Sequence, residues 1–177
     1  MGRLSWVLLC AVIALGCKSY EVRKYQEKGA ETVLPFKRGM KAALMSGLQE
    51  GPTNAIAACR VEAPKLAAEA STGGVRVGRT STKLRNPANA PKPWMVPVLE
   101  RYAEGAKERE PSVVFIDDDT VGYVEPIYAQ PLCLTCHGQT IAPEVSAELE
   151  KLYPEDQATG YAAGDLRGVF WAELPRD

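Results

Sequence analysis

Residues 131–138 read Pro131-Leu-Cys-Leu-Thr-Cys-His-Gly138 and contain Cys133-Leu-Thr-Cys136-His137, a C-x-x-C-H run. This is the spacing by which a c-type haem is attached to a protein. Two thiols three positions apart can each add across one of the two vinyl groups on the macrocycle. The imidazole that follows then lies under the ring as the proximal iron ligand. With 5 Cys and 1 His among 177 residues, chance placement produces the run in roughly one such chain in a thousand. A redox dithiol shares the C-x-x-C. A zinc site is short of donors, because His137 is the only histidine. The chain is therefore read as folding around one covalent haem c, with Cys133 and Cys136 in thioethers and His137 on the iron.

The N-terminus adds a compartment. Arg3 precedes an apolar stretch from Leu4 to Gly16, the length of a signal-peptide core and short for a bilayer span. It ends in Ala14-Leu15-Gly16-Cys17, similar to the lipobox of bacterial lipoproteins, with Ala14 where Leu is more usual. The expectation is a leader over 1–16, lipidation at Cys17, and a periplasmic protein held at the membrane by that anchor alone. Residues 17–29 form a linker or the start of a helix, and 30–177 the haem domain. Thioether attachment is itself an extracytoplasmic chemistry in bacteria, so the two signals agree.

Cysteine accounting isolates one thiol. Cys10 leaves with the leader, Cys17 takes lipid and the C-x-x-C pair takes haem, which leaves Cys59 without a disulfide partner. A net charge of −1 and the lack of a basic run argue against a nucleic-acid partner. At 46% hydrophobic, the chain holds one domain's worth of core.

Along the chain, Ser19 to about Glu50 reads as helix, with an apolar stripe at Val33, Phe36, Met40, Leu44 and Leu48 and a kink or division at Pro35. After Gly51-Pro52, Thr53 or Asn54 can cap a second helix to about Ala70. Its alanine-rich face carries Cys59 just before a bend at Pro64, and such a face admits a large flat object or another helix. Residues 74–80 alternate as a strand, Lys83 to Pro93 is irregular, and Pro93 to Lys107 is a helix bearing Met95, Val98, Leu99 and Tyr102. Strands over 112–116 and 121–128 are joined by a solvated turn at Asp117-Asp-Asp-Thr120. A helix over 144–152 and a strand over 168–174 close the chain. Helices followed by mostly antiparallel strands make the fold α+β.

The sixth iron ligand stays open on these grounds. No second histidine exists, so Met, Cys, Lys, water or nothing takes the place. Cys59 and Met95 lead, while Met40 and Met45 are also available. Arg76, Arg79 and Arg85 are candidates for the haem propionates, and Asn86 and Asn89 shape the proline-rich loop, with Asn86 a further candidate pocket contact.

Five motifs in order carry a family resemblance. They are Ala57-Ala-Cys59-Arg-Val-Glu-Ala-Pro64, Arg79-Thr-Ser, Arg85-Asn-Pro-x-Asn89, Pro131-x-Cys-x-x-Cys-His-Gly138 and Gly164-Asp-Leu-Arg-Gly168. Over about residues 30–175 the chain resembles a family of exported c-type haem domains with a PAS-like fold. That family, long described as a domain of unknown function, occurs free-standing and as the sensory part of bacterial signalling proteins. A lipid anchor is not a general feature of it. The resemblance implies one antiparallel sheet with flanking helices, His137 as proximal ligand and Cys59 as distal ligand. Thiolate ligation would favour ferric iron and a low potential. It implies a redox or small-gas (NO, CO) sensor, not an enzyme, that passes its state to a redox or signalling partner. A periplasmic electron-transfer cytochrome is the alternative, and a small haem peroxidase is disfavoured by the lack of a second histidine.

Overall fold

The computed structural model describes residues 4–105 and 109–177, with side chains from Ser19 onward. The expected leader and the expected lipidation site Cys17 lie outside the described side chains. Helix α1 (Leu4–Gln49) continues through Pro35 as one element, so of the expected kink or division the division does not occur. Val33, Phe36 and Met40 lie on one stripe and are all buried. Each such side chain contributes about 1.5–3 kcal/mol, which together exceeds the roughly 3 kcal/mol that an internal proline costs. Leu44 and Leu48, further along, are only half-buried.

Helix α2 (Pro52–Ala70) starts earlier than the Thr53 or Asn54 cap would allow. Gly51 is the N-cap at φ 113°, a conformation that favours glycine, and Pro52 takes the first helical position. Asn54 Nδ2 instead donates to the Glu50 carbonyl at 2.8 Å. Small residues let α1 and α2 touch. A Cβ on Gly47 would stand 2.6 Å from Ala55 Cα, and one on Gly39 would stand 2.7 Å from a Leu66 methyl.

Strands β1 (Arg76–Thr80), β2 (Ser112–Phe115), β3 (Thr120–Tyr128) and β4 (Leu166–Pro175) form one antiparallel sheet in the order β1-β4-β3-β2. Alternation gives it two covered faces. Val77, Val121, Tyr123, Ala172 and Leu174 pack under α1 and α2. Val124 and Val169 pack on the other side with Met95, Val98, Leu99 and Tyr102 from α3 (Val96–Glu104) and the 3-10 turn Pro93–Met95 before it. The β2–β3 turn is the expected solvated one, in which Asp119 N donates to Asp117 Oδ1 at 2.9 Å. The architecture is α+β and consistent with a PAS-like arrangement. Helix α4 (Leu134–His137) and helix α5 (Pro143–Leu152) lie between β3 and β4 in the chain. The end of β3 is tied to the entry of β4, where Ala129 N donates to the Asp165 carbonyl at 2.9 Å and Gly164 N to the Ala129 carbonyl at 2.8 Å.

Candidate functional site

The C-x-x-C-H segment folds as a 3-10 turn (Pro131–Cys133) that continues into α4. Cys133 and Cys136 are free thiols, both half-buried. Cys133 packs against Ala129, Ala158 and Tyr161. Cys136 packs against Ile56 of α2 and Val145 and Leu149 of α5. Gly138 ends the helix so closely that a Cβ there would lie 2.6 Å from the Leu134 carbonyl oxygen. The loop before β4 clips this end down. Tyr161 N donates to the His137 carbonyl and Gly160 N to the Gly138 carbonyl, both at 2.9 Å.

His137 is oriented by its Nδ1, 2.6 Å from the Ala158 carbonyl oxygen. A carbonyl can only accept, so Nδ1 carries the proton and Nε2 keeps a bare lone pair. Burial pushes the imidazole pKa down to about 3, helped by the positive charges of Arg167 and Arg85. The ring is therefore neutral at ordinary pH, as a ligand must be.

Arg85 is used differently from the expected propionate contact. Its Nε donates to Asp156 Oδ2 at 3.0 Å and its Nη2 to the Cys136 carbonyl. Asp156 Oδ1 in turn accepts from Ala158 N at 2.7 Å. A single chain of contacts thus runs from Arg85 through Asp156 to Ala158 and on to His137. Asn86 also has a local job: its Oδ1 accepts from Ala88 N at 3.0 Å and caps the turn Pro87–Asn89. Asn89 lends its carbonyl to Thr80 Oγ1 at 2.6 Å. Arg76 is exposed.

Cys59 lies half-buried on α2, against the core of the sheet's helical face. Burial raises its thiol pKa, while the charges of Arg79 and Arg85 pull it down. Cys136 feels Cys59 electrostatically as well, so α2 brings Cys59 near the C-x-x-C-H segment. Met95, the other leading candidate for the sixth ligand, is 1% exposed and sits in the α3 cluster on the opposite face of the sheet. The sheet separates it from Cys59, and its position is that of core filler.

A family model described as Tll0287-like matches residues 17–175. The chain belongs to the Tll0287-like family. A solved structure described as the crystal structure of the cyanobacterial heme-protein Tll0287 is 30% identical, with a TM-score of 0.54; the match covers 66% of this chain and 68% of that one. No curated protein matches.

Several side chains of this Tll0287-like site were not singled out from sequence. Asp156 and Tyr153 lie in a stretch with no motif. Arg167 stands within Gly164-Asp-Leu-Arg-Gly168, the one available signal, and its Nε lies 3.3 Å from His137 Nδ1. Burial lowers its pKa to about 10. Tyr161 sets its ring edge-on to His137, with centroids 6.3 Å apart. Two thiols one helical turn apart, followed by a neutral imidazole with a bare Nε2, are the donor set that covalent haem attachment requires. The residues present fit that group.

Proposed function

We propose that this chain is an exported c-type haem protein that senses redox state or a small gas such as NO or CO. Cys133 and Cys136 carry the haem, His137 is the proximal iron ligand and Cys59 the distal one. The observation that carries the reading is the bond from His137 Nδ1 to the Ala158 carbonyl, 2.6 Å long. It leaves Nε2 bare on a ring that directly follows two free thiols. Membership of a family with a solved heme-protein supports it. When bound, the haem supplies a one-electron iron couple and a coordination position for a small ligand.

The protein's own contribution is an asymmetric pair of ligands. His137 is held neutral and fixed in direction by its carbonyl partner. Cys59 is pulled both ways, toward thiol by burial and toward thiolate by Arg79 and Arg85. A sulfur balanced in this way is a donor that can be released. Pro64 lies five residues further along α2 and cannot donate to the Arg60 carbonyl, so the helix is weakest just past Cys59. Release of Cys59 is therefore felt along α2, where a redox or signalling partner can read it. On this reading the protein has no catalytic residues, works in the periplasm, and is held to the membrane by lipid on Cys17.

The test is the ferric EPR and optical spectrum of the mature protein beside Cys59→Ala, together with CO binding by the ferrous form. Thiolate features that vanish in the variant, with CO taken up on reduction, support the sensor. An unchanged ferrous six-coordinate spectrum that ignores CO would make the protein an electron carrier instead.

A further inference from the structure

Three arginines converge near the C-x-x-C-H segment, and only one of them has an acid. Arg85 is paired with Asp156. Arg79 pairs with Phe170 across β1 and β4, on the same side of the sheet as Val77 and Ala172, so it projects toward the face covered by α2. There the groups acting on it are Cys59, Tyr153 and Arg85. It has no hydrogen bond or ion pair with any described residue. Part of Arg79 still meets open space, although burial is the main influence on its charge.

Arg167 is barely better served. Its contacts are His137 Nδ1 at 3.3 Å and the Lys83 carbonyl at 3.4 Å. The first cannot be a hydrogen bond while Nδ1 carries its proton toward Ala158, and the second is at the long limit. Beneath Arg167, with the guanidinium 5.5 Å over its ring, lies Tyr161. Tyr161 is 6% exposed, and its hydroxyl is the one buried side-chain polar atom among the described residues without a partner. Buried cations without anions and buried donors without acceptors are both costly. Three arginines against the one acid Asp156 leave two positive charges unmatched among the described residues.

We propose that Arg79 and Arg167 receive the two propionate carboxylates of the haem, with the Tyr161 hydroxyl as a further donor on the Arg167 side. This rests on the haem reading above and goes beyond it by assigning the opposite edge of the macrocycle. Two carboxylates cancel the two unmatched charges, and a guanidinium fork fits a carboxylate through paired hydrogen bonds. Arg79 and Arg167 also act on each other electrostatically. Arg85 is left out of this role because Asp156 already matches its charge.

The experiment is resonance Raman of the propionate-bending bands in the ferric holoprotein, with a potentiometric titration, for wild type, Arg79→Gln, Arg79→Lys, Arg167→Gln and Tyr161→Phe. Thioether bonds keep the haem in place in every variant, and intact mass verifies it. Each Gln variant is expected to shift a propionate band and move the midpoint potential negative, since a cation beside the iron is lost. Arg79→Lys shifts the band while keeping most of the potential, and Tyr161→Phe shifts only the Arg167-side band. Propionate bands unmoved in both Gln variants overturn the proposal. So does loss of thiolate features in Arg79→Gln with its bands unmoved, which would assign Arg79 to Cys59. If the wild type carries no haem, the functional reading fails and this proposal fails with it; loaded wild type with unmoved bands fails this proposal alone.

Discussion

His137 closes a four-residue helix that is tied down by polar contacts, whereas Cys59 sits midway along a 19-residue helix, its thiol without a hydrogen bond to any described residue. The His137 side is wired by polar contacts. Its ring, its carbonyl, the Cys136 carbonyl and the Asp156 carboxylate all have partners. The Cys59 side is packed by apolar neighbours and bordered by a cation that lacks an anion. Hydrogen bonds fix direction and apolar packing fixes only volume. On the proposed ligation, the contrast separates a ligand that stays from one that can be released.

The largest test removes what both sides share. Cys133→Ala/Cys136→Ala should abolish covalent haem, read as loss of one haem mass and of the pyridine haemochrome band. A retained covalent haem would refute the thioether assignment. The next tests separate the two sides. Asp156→Ala should cost about 3–5 kcal/mol, because it leaves Arg85 buried without its acid; the side chains of that pair are only 14% and 8% exposed. Cys59→Ala, which removes one half-buried sulfur, should cost about 1 kcal/mol, while changing the ferric spectrum far more than its stability. Urea melts of both variants check the order, and equal losses would erase the claimed asymmetry.

The two sides should also fail at opposite ends of the pH scale when haem is absent. In the Cys133→Ala/Cys136→Ala chain, His137 has a folded pKa of about 3 against an ordinary 6.5. As pH falls through 6.5 the unfolded chain takes a proton that the folded one refuses. Stability is therefore level above 6.5 and declines below it by about 1.4 kcal/mol per unit, or about 2 kcal/mol between pH 7 and pH 5. Cys59 works the other way. Burial lifts its thiol, so the unfolded chain loses that proton first and stability falls as pH rises through the ordinary thiol range. Denaturation midpoints across pH measure both arms, and His137→Phe should flatten only the acid one.

Much of this was open to inspection before the fold was known. The C-x-x-C-H run, the alternating strands and the helical stripe are local patterns, and their periods of 2 and 3.6 residues survive folding unchanged. The role of Arg85 was not readable, because its partner Asp156 is 71 residues away and nothing in either neighbourhood announces the other. That Pro35 would not divide the helix was hidden for a related reason. Its local penalty is visible in sequence, while the burial of Val33, Phe36 and Met40 that outweighs it depends on a sheet formed by later strands. Arg167 had a signal in its glycine-flanked motif, but its closeness to His137 comes from the return of β4.

The smallest effect belongs to Met95, and it is the sharpest check on which residue sits opposite His137. Met95 lies among Val98, Leu99, Tyr102, Val124 and Val169, so Met95→Leu conserves volume and should cost under about 1.5 kcal/mol. The ferric and ferrous spectra should not change at all, since the sheet stands between this side chain and Cys59. A haem spectrum altered by Met95→Leu and untouched by Cys59→Ala would reverse the comparison. The distal side would then be a thioether drawn from the α3 cluster, and α2 would be a plain structural helix.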